Sequence, residues 1–375
     1  MLPQMTISIL VGDCRQRLAE LPAGSVQTCV TSPPYFGLRD YGTASWEGGD
    51  AKCQHRVGGQ VQDNKAKGAI VSGVRPGVDA SRCLDCGATR VDSQIGLEQT
   101  PEAFVAELVA VFREVKRVLR DDGTLWLNLG DSYAATTKGS SGKGEKQITN
   151  AGTLLADRSW RVPDGLKPKD LIGIPWRVAF ALQADGWYLR QDIIWHKPNP
   201  MPESVKDRCT KAHEYIFLLS KSERYFYDAD AIKEENADPD RKTYIPGKRA
   251  FTAESMEQQP ATDTRERRNY GFEKYKNGAV PDGRNRRSVW TVATKPFAGA
   301  HFATFPPDLI EPCVKAGSKP GDLVLDPFGG AGTTGLVADR LGRNAVLCEL
   351  NPTYAELARE RLTSENPMFT EVLVK

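Results

Sequence analysis

A short motif near the N-terminus combines residue types that are unusual directly after a buried strand. The letters TSPPY, at residues 31–35, follow the apolar run that ends at Val30. Two consecutive prolines fix two φ angles and remove two backbone donors, and each holds the preceding residue in extended geometry. The motif therefore predicts a rigid corner that presents a hydroxyl, a carbonyl and an aromatic ring. The alternative is a rigid strand terminus whose tyrosine packs in the core.

A second motif, LDPFGGAGTTG at residues 325–335, has glycines between a predicted strand and a predicted helix. Glycines let a ligand approach the backbone closely, and the helix N-terminus offers free N–H groups. Asp326 ends this strand and Glu349 ends the next one, where a carboxylate can hold ribose hydroxyls. The pair predicts a nucleoside-containing cofactor, although the glycines alone also fit a tight turn. No Gly-Lys-Ser/Thr follows, which excludes a P-loop.

Three cysteines and a histidine form the third group. Cys53 and His55 precede Cys83 and Cys86, and these four residues have the content of a tetrahedral zinc site. Such a site would staple residues 43–95, which contain too few apolar residues for a core of their own. The alternative is three coincidental thiols in a flexible insertion. The other cysteines lie singly, mostly in apolar stretches, and no disulfide framework is indicated.

The elements that must position these motifs alternate between buried strands and helices. Residues 101–123 are predicted to form a helix that is capped by Thr100 and begins at Pro101, and residues 213–222 and 224–228 are predicted to pair as a hairpin. The alternation predicts an α/β fold with a mostly parallel sheet covered on both faces. The apolar face of the predicted helix consists of Phe104, Leu108, Val111, Phe112, Val115 and Leu119.

Composition restricts the class of protein. The chain has 375 residues, of which 40% are hydrophobic and 26% charged, with a formal net charge of +2. No apolar run approaches the ~18 residues of a membrane span and no signal peptide is evident, so we expect a cytoplasmic protein without a membrane partner. Residues 236–287 hold 12 Lys or Arg against 8 Asp or Glu. A long polar segment of this kind in an α/β protein is typical of a functional loop or of disorder.

Taken in order, the motifs resemble the amino-methyltransferases of DNA, which use S-adenosylmethionine. With TSPPY first and DPFGGAGTT last, the order is similar to the β class, a circular permutation of the usual arrangement. The resemblance extends to the Gly12-Asp13 pair, to DGTLWLNLGD, to the segment from Trp195 to Ser222 and to the segment at 301–318. It implies a Rossmann-like seven-stranded sheet carrying a zinc-binding insertion and a target-recognition insertion.

The resemblance also implies boundaries. Residues 1–42 and 96–200 would form the catalytic half of the methyltransferase domain, and residues 291–375 the cofactor-binding half. Residues 43–95 would be the zinc insertion. Residues 201–290 would be the target-recognition region, whose first part still pairs with the sheet.

Roles for individual residues follow from the same resemblance. Ser32, Pro33, Pro34 and Tyr35 would be catalytic: the Ser32 hydroxyl and Pro33 carbonyl accept hydrogens from an exocyclic amino group, and Tyr35 stacks on the flipped base. Trp195 and Lys197 would border the cleft. The residues expected to surround S-adenosylmethionine are Gly12, Asp13, Phe305, Pro306, Asp326, Phe328, Gly329, Gly330, Gly332, Thr333, Thr334 and Glu349.

In this family a serine at the position of Ser32 is associated mostly with cytosine N4, so we expect cytosine as the substrate base and adenine N6 as the alternative. Less favoured are a methyltransferase of RNA or of protein amides and a catalytically inactive zinc protein that binds DNA. The expected partner is double-stranded DNA in a bacterial or phage setting, with a restriction endonuclease as a further partner. The sequence leaves monomer and homodimer open.

Overall fold

The computed structural model describes residues 5–37, 43–50, 52–55, 82–134, 165–235, 283–295, 305–365 and 370–375. Within these ranges, no helix is long and apolar enough to cross a membrane. The helices there are α1 (Cys14–Ala19), α2 (Pro101–Val118), α3 (Ile174–Ala184), α4 (Pro307–Gly317), α5 (Thr333–Arg340) and α6 (Pro352–Glu365), with a 3-10 turn at Asp230–Ile232. The strands are β1 (Met5–Val11), β2 (Val26–Thr31), β3 (Ser45–Glu47), β4 (Thr89–Val91), β5 (Leu119–Leu129), β6 (Tyr188–His196), β7 (His213–Ser220), β8 (Val289–Thr291), β9 (Leu323–Asp326), β10 (Asn344–Glu349) and β11 (Thr370–Val374).

One large sheet organises the fold, with the strand order β11-β1-β10-β9-β2-β5-β7-β6-β8. Neighbouring strands run parallel from β11 to β5, β7 is antiparallel to both of its neighbours, and β8 is parallel to β6. The predicted α/β fold with a mostly parallel sheet is confirmed. The prediction of seven strands is too low, because the described residues place nine in this sheet. The two outermost strands, β11 and β8, are short, and short edge strands carry little apolar signal in a sequence.

Helix α2 shows how local sequence sets an element that supports the sheet. The Thr100 hydroxyl accepts the Ala103 N–H at 3.1 Å, and Pro101 occupies the first helical position, where a backbone N–H is not needed. The helix ends at Val118 rather than at residue 123, because the backbone turns extended at Leu119 and begins β5. The buried face of the helix consists of Phe104, Leu108, Val111, Phe112, Val115 and Val118.

The predicted hairpin of residues 213–222 and 224–228 is wrong. Strand β7 lies between β5 and β6, with Tyr215 opposite Leu129 on one side and opposite Ile194 on the other. Residues 224–228 form no strand, and their backbone bonds to other segments. Phe226 N–H donates to the Asp122 carbonyl at 2.9 Å. The strand-like composition of RYFYD therefore reflects packing of its aromatic rings rather than pairing.

Two compact units divide the chain. The first contains residues 1–228 and 288–375 and includes the large sheet. The second contains residues 229–287, a range inside the predicted target-recognition region of 201–290. In the second unit, Glu234 and Arg284 exchange both backbone hydrogen bonds at 2.9 Å, and the Glu234 carboxylate lies 2.9 Å from Nε of Arg287. Most of the basic stretch, residues 236–282, lies outside the described residues.

Candidate active site

A cavity of about 760 Å³ opens at the carboxyl ends of the central strands. Strands β2 and β9 are neighbours in the sheet although nearly 300 residues separate them, so the ends of both strands meet at one edge. Pro306, Gly332 and Thr334 do not line the cavity, but every other residue predicted to bind cofactor or catalyse does. Those lining residues are Gly12, Asp13, Ser32, Pro33, Pro34, Tyr35, Phe305, Asp326, Phe328, Gly329, Gly330, Thr333 and Glu349.

Asp326 connects the two motifs at the floor of this cavity. Its Oδ1 accepts the Thr31 hydroxyl at 2.6 Å and the Phe328 N–H at 3.0 Å, and its Oδ2 accepts the Thr334 hydroxyl at 2.6 Å. The Thr334 hydroxyl also lies 3.2 Å from the Val30 carbonyl. Thr334 therefore positions Asp326 against β2 from beneath the cavity, which explains why it does not face the ligand space itself. Burial outweighs the three hydrogen bonds and raises the pKa of Asp326 to about 6.

This raised pKa predicts a stability difference between the wild type and Asp326→Asn. The folded state binds the Asp326 proton more tightly than the unfolded chain does, so stability is lost as the pH rises from about 4 through about 6. A pKa change from 3.8 to about 6 corresponds to roughly 3 kcal/mol. Asparagine keeps the shape and can donate to the Thr334 hydroxyl, but it does not ionise.

Urea unfolding of the cofactor-free proteins between about pH 4 and pH 7 measures this difference. We expect the free energy of unfolding of the wild type to fall, relative to that of Asp326→Asn, by an amount on the order of 3 kcal/mol. A difference between the two proteins that stays constant with pH would show that Asp326 does not titrate in this range.

Glu349 lies at the carboxyl end of β10 and lines the same cavity. Its Oε2 accepts the Gly330 N–H and its Oε1 accepts the Asn351 N–H, both at 2.8 Å. Gly12 lies beside Glu349, because its N–H donates to the Glu349 carbonyl at 2.9 Å. Its φ of +135° is a conformation that glycine adopts readily. Burial raises the pKa of the Glu349 carboxyl. The backbone donors fix the carboxylate, and each of its oxygens keeps a lone pair for a ligand hydroxyl.

The Asp13 carboxylate lines the cavity beside Gly12 and is already engaged. Its Oδ1 accepts the Arg15 N–H at 2.8 Å, which caps helix α1, and its Oδ2 pairs with Nη2 of Arg15 at 2.5 Å. These bonds hold the carboxylate in one orientation at the carboxyl end of β1. That orientation suits a fixed acceptor for a ligand rather than a group that must swing into place.

The Ser32–Tyr35 corner is held by close packing from the segment that follows β4. Gly96 approaches so closely that a Cβ there would lie 3.1 Å from the Tyr35 carbonyl oxygen and 3.3 Å from Cβ of Pro34. The Gly37 N–H donates to the Gly96 carbonyl at 2.8 Å. The two prolines and this packing together leave the corner little freedom, which is the rigidity that the sequence predicts.

A polar network anchors the ring of Tyr35. The Tyr35 hydroxyl lies 2.7 Å from Oε2 of Glu214 and 3.2 Å from Oδ1 of Asn128. The other Glu214 oxygen pairs with the Lys197 ammonium, which lies 4.2 Å from the centroid of the Trp195 ring. All of these residues line the cavity. The network fixes the direction of the Tyr35 ring and places one cation at the cavity wall.

Sequence reasoning missed Asn128 and Glu214. The sequence held an indication of each: Asn128 is the one amide within the apolar run LWLNL, and Glu214 is a charged residue near the start of the apolar strand HEYIFLL. Asn128 is 3% exposed in a central strand, and a polar side chain buried in this way usually has a hydrogen-bond partner. Their meeting depends on the pairing of β5 with β7, which the hairpin prediction had assigned elsewhere.

Gly130 was missed as well, and it sets the distance between β5 and the Tyr35 ring. A Cβ on Gly130 would lie 2.4 Å from Cε2 of Tyr35 and 3.0 Å from its Cδ2. The ring therefore lies directly against the Gly130 backbone. Only glycine permits this approach.

Comparison with known proteins identifies the family of this chain. The sequence profile of the family described as DNA methylase, with N6 and N4 specificities, matches residues 26–360. The chain belongs to this family. Curated relatives agree: the chain is 43% identical to the Type II methyltransferase M.Cfr9I of Citrobacter freundii over 359 residues, covering 96% of this chain and 88% of the relative. It is 42% identical to M.SmaI of Serratia marcescens, covering 94% of this chain and 90% of the relative.

Solved structures show the same fold. TTHA0409 from Thermus thermophilus, solved in complex with S-adenosyl-L-methionine, is 25% identical with a TM-score of 0.51, covering 98% of this chain and 99% of that one. The cytosine-N4-specific PvuII DNA methyltransferase has a TM-score of 0.52 over 99% of this chain and 98% of that one. At 16% identity, the second likeness concerns the fold alone.

The cluster predicted to bind metal also comes together in this DNA methylase. The ligand atoms of Cys53, His55, Cys83 and Cys86 all lie within 4.8 Å of one another. The short β3–β4 sheet lies near the cluster in sequence, and the chain that follows β4 lines the cavity at residues 93–95. This cluster is separate from the residues that surround Asp326 and Glu349.

Proposed function

We propose that this DNA methylase transfers a methyl group from S-adenosylmethionine to the exocyclic amino group of a base in duplex DNA, and that the base is cytosine, modified at N4. One observation carries the proposed transfer, and the identity of Ser32 carries the choice of cytosine. The Ser32–Tyr35 corner and the carboxylates of Asp13 and Glu349 open onto one cavity, so an amino group at the corner faces a ligand held by these two carboxylates. Catalytic strand β2 precedes cofactor strand β9 in the chain, which supports the circularly permuted β-class order.

The residues present fit S-adenosylmethionine. Glu349 offers fixed acceptor lone pairs for the ribose hydroxyls, Asp13 offers a second fixed carboxylate, and Phe328 and Phe305 offer apolar surface. The TTHA0409 structure supports this choice of cofactor. When bound, S-adenosylmethionine supplies an electrophilic methyl group.

The corner supplies the activation that a base amino group needs. The nitrogen lone pair is delocalised into the ring, and it becomes available when two acceptors accept hydrogen bonds from the amino group and favour a tetrahedral nitrogen. The Ser32 hydroxyl and the Pro33 carbonyl are these acceptors. Because the prolines and Gly96 fix them, no reorganisation is needed as charge develops on the nitrogen. No covalent enzyme intermediate is required, and the Cys29 thiol is fully buried in the core.

The target base must leave the duplex to reach this corner. We propose that the ring of Tyr35, anchored through its hydroxyl to Glu214 and Asn128, stacks on the extruded base. Stacking on an aromatic side chain contributes about 1–3 kcal/mol per base. Lys197 and Trp195 border the same space and bound it on the side of β6.

Double-stranded DNA is the proposed partner in a bacterial or phage cytoplasm, with a restriction endonuclease as a further proposed partner. The Type II names of the relatives support a restriction-modification setting. The basic segment at 236–287 is the proposed phosphate-binding region. Among its described residues, Arg284 and Arg287 both bond to the Glu234 carboxylate. Both arginines therefore contribute to the packing of the second unit.

Nucleoside analysis tests the proposal. Plasmid DNA from a methylation-deficient host expressing the chain is digested and analysed by mass spectrometry, and single-molecule sequencing locates the modified site. We expect N4-methylcytosine in one sequence context. Detection of N6-methyladenine instead would show that the substrate base is adenine, and the assignment as a DNA amino-methyltransferase would still stand. Labelled methyl groups in RNA or protein, but not in DNA, would overturn the substrate.

Glu349→Ala should weaken cofactor binding roughly 10- to 100-fold. The variant loses the equivalent of one hydrogen bond to a charged acceptor, which contributes about 1.5–3 kcal/mol. Calorimetric titration with S-adenosylmethionine measures the effect. The matched control is Glu356→Ala, which removes a half-exposed carboxylate on α6 that pairs with Arg359. Equal affinity of Glu349→Ala and the wild type would contradict the role of Glu349.

A further inference from the structure

We propose that Cys53, His55, Cys83 and Cys86 bind one structural Zn²⁺, and that this ion fixes residues 93–96, of which 93–95 form a wall of the active-site cavity and Gly96 packs on the Ser32–Tyr35 corner. The metal site does not depend on the proposed function, whereas its effect on methylation rests on that function. The interatomic distances in the cluster support the metal site. The path of the chain from the cluster to the catalytic corner supports the effect of the ion on the cavity wall.

Two distances within the cluster match tetrahedral zinc coordination, and all four ligand atoms lie within 4.8 Å of one another. With Zn–S bonds of about 2.3 Å and Zn–N bonds of about 2.1 Å, two sulfurs lie about 3.8 Å apart and a sulfur and a nitrogen about 3.6 Å. The Sγ atoms of Cys53 and Cys83 are 3.7 Å apart, and Sγ of Cys86 lies 3.4 Å from Nδ1 of His55. Four protein ligands fill a tetrahedron, so the site leaves no open position for catalysis.

The surrounding residues hold the four ligands in place. Gly87, with a φ of +74°, turns the chain after Cys86, and its N–H donates to the Cys83 carbonyl at 2.9 Å. The Trp46 ring stacks on the His55 imidazole, with centroids 4.9 Å apart and planes 14° apart. A Cβ on Gly49 would lie 2.7 Å from Sγ of Cys86. The insertion is thus folded closely around its ligands.

A continuous path joins this cluster to the cavity. Cys83 N–H donates to the Ala88 carbonyl at 2.7 Å, just before β4, and β4 pairs with β3. After β4, Oδ1 of Asp92 accepts the Gln94 N–H and the Thr43 hydroxyl, each at 3.2 Å. Gln94 lines the cavity, and Gly96 packs on the Ser32–Tyr35 corner. The described part of the insertion has few buried apolar side chains, so the metal is what gives this path its rigidity.

Metal analysis tests the site. Untagged full-length protein, dialysed against metal-free buffer, should carry about one zinc per chain, with X-ray absorption showing three sulfur ligands and one nitrogen. Cys86→Ser should lose most of the zinc, and Cys209→Ser, which changes an exposed cysteine outside the cluster, should retain it. If Cys86→Ser does not fold, Cys86→His replaces it and should retain zinc with two sulfur ligands. Wild-type protein that carries no zinc, or that carries a Cys53–Cys83 disulfide instead of zinc, would contradict the proposed metal site.

Hydrogen exchange tests the wall. Removing zinc with an organomercurial reagent and a chelator should speed amide exchange in the peptide that carries residues 93–96 and leave peptides from β9 and β10 unchanged. Unchanged exchange at residues 93–96 would overturn the link to the cavity. Methylation should then fall roughly tenfold or more and recover with added zinc, while S-adenosylmethionine affinity stays within about twofold. If even the zinc-loaded protein methylates no DNA, the proposed function fails, but the metal content and exchange results still decide the site and the wall.

Discussion

Gly130→Ala should lower kcat for DNA methylation about 100-fold. The new methyl group would lie 2.4 Å from Cε2 of Tyr35, closer than any ordinary contact. The ring has no easy way to retreat, because its hydroxyl is fixed by Glu214 and Asn128. A misplacement of about 1 Å at a reacting centre costs on the order of 100-fold in rate. Gly130 does not have a positive φ, so alanine introduces a steric effect without backbone strain.

A double-mutant cycle separates this effect from general destabilisation. In the Tyr35→Ala background the ring is absent, so adding Gly130→Ala should change kcat little. Overpacking alone costs about 1–3 kcal/mol of stability, and urea unfolding of each variant measures that part. An equal fall in kcat from Gly130→Ala in both backgrounds would show that the glycine does not act through Tyr35. The affinity for S-adenosylmethionine serves as the internal control and should not change.

The meeting of the two motifs could be predicted from the sequence. Val30 and Leu325 lie in apolar runs of strand length, and parallel strands bring their carboxyl ends to one edge. Asp326 and the Ser32 corner then share that edge. The hydrogen bond from the Thr31 hydroxyl to Asp326 could not be predicted from the sequence, because it depends on which strands are neighbours.

The Tyr35 network could not be predicted for a different reason. Asn128 and Glu214 approach each other only because β5 and β7 pair antiparallel with Leu129 opposite Tyr215. Strand composition does not fix a partner or a register, and a one-residue slip would turn each side chain to the other face. Gly130 is similar: a glycine after a strand indicates that another group packs closely on the backbone, and only the folded chain shows that this group is the Tyr35 ring.

Ser32→Ala should lower kcat by about 100- to 1,000-fold, the effect of removing one preorganised partner of a developing charge. The Ser32 side chain lines the cavity at the end of β2, and Pro33 and Gly96 keep its backbone fixed whether or not the hydroxyl is present. The variant therefore loses an acceptor for one amino hydrogen and keeps the corner. The Pro33 carbonyl remains, so activity falls without vanishing.

The pattern of kinetic constants decides whether the hydroxyl acts in this way. An acceptor that engages the amino hydrogens mainly in the transition state lowers kcat and kcat/KM together, with little effect on DNA or cofactor affinity. The matched control is Ser25→Ala, which removes a serine hydroxyl just before the opposite end of β2, where it bonds to the Pro22 carbonyl. Turnover of Ser32→Ala equal to that of the wild type would remove Ser32 from the mechanism and leave the Pro33 carbonyl as the single acceptor at the corner. Base preference then has to be reassessed too, because the argument for cytosine N4 rests on that serine.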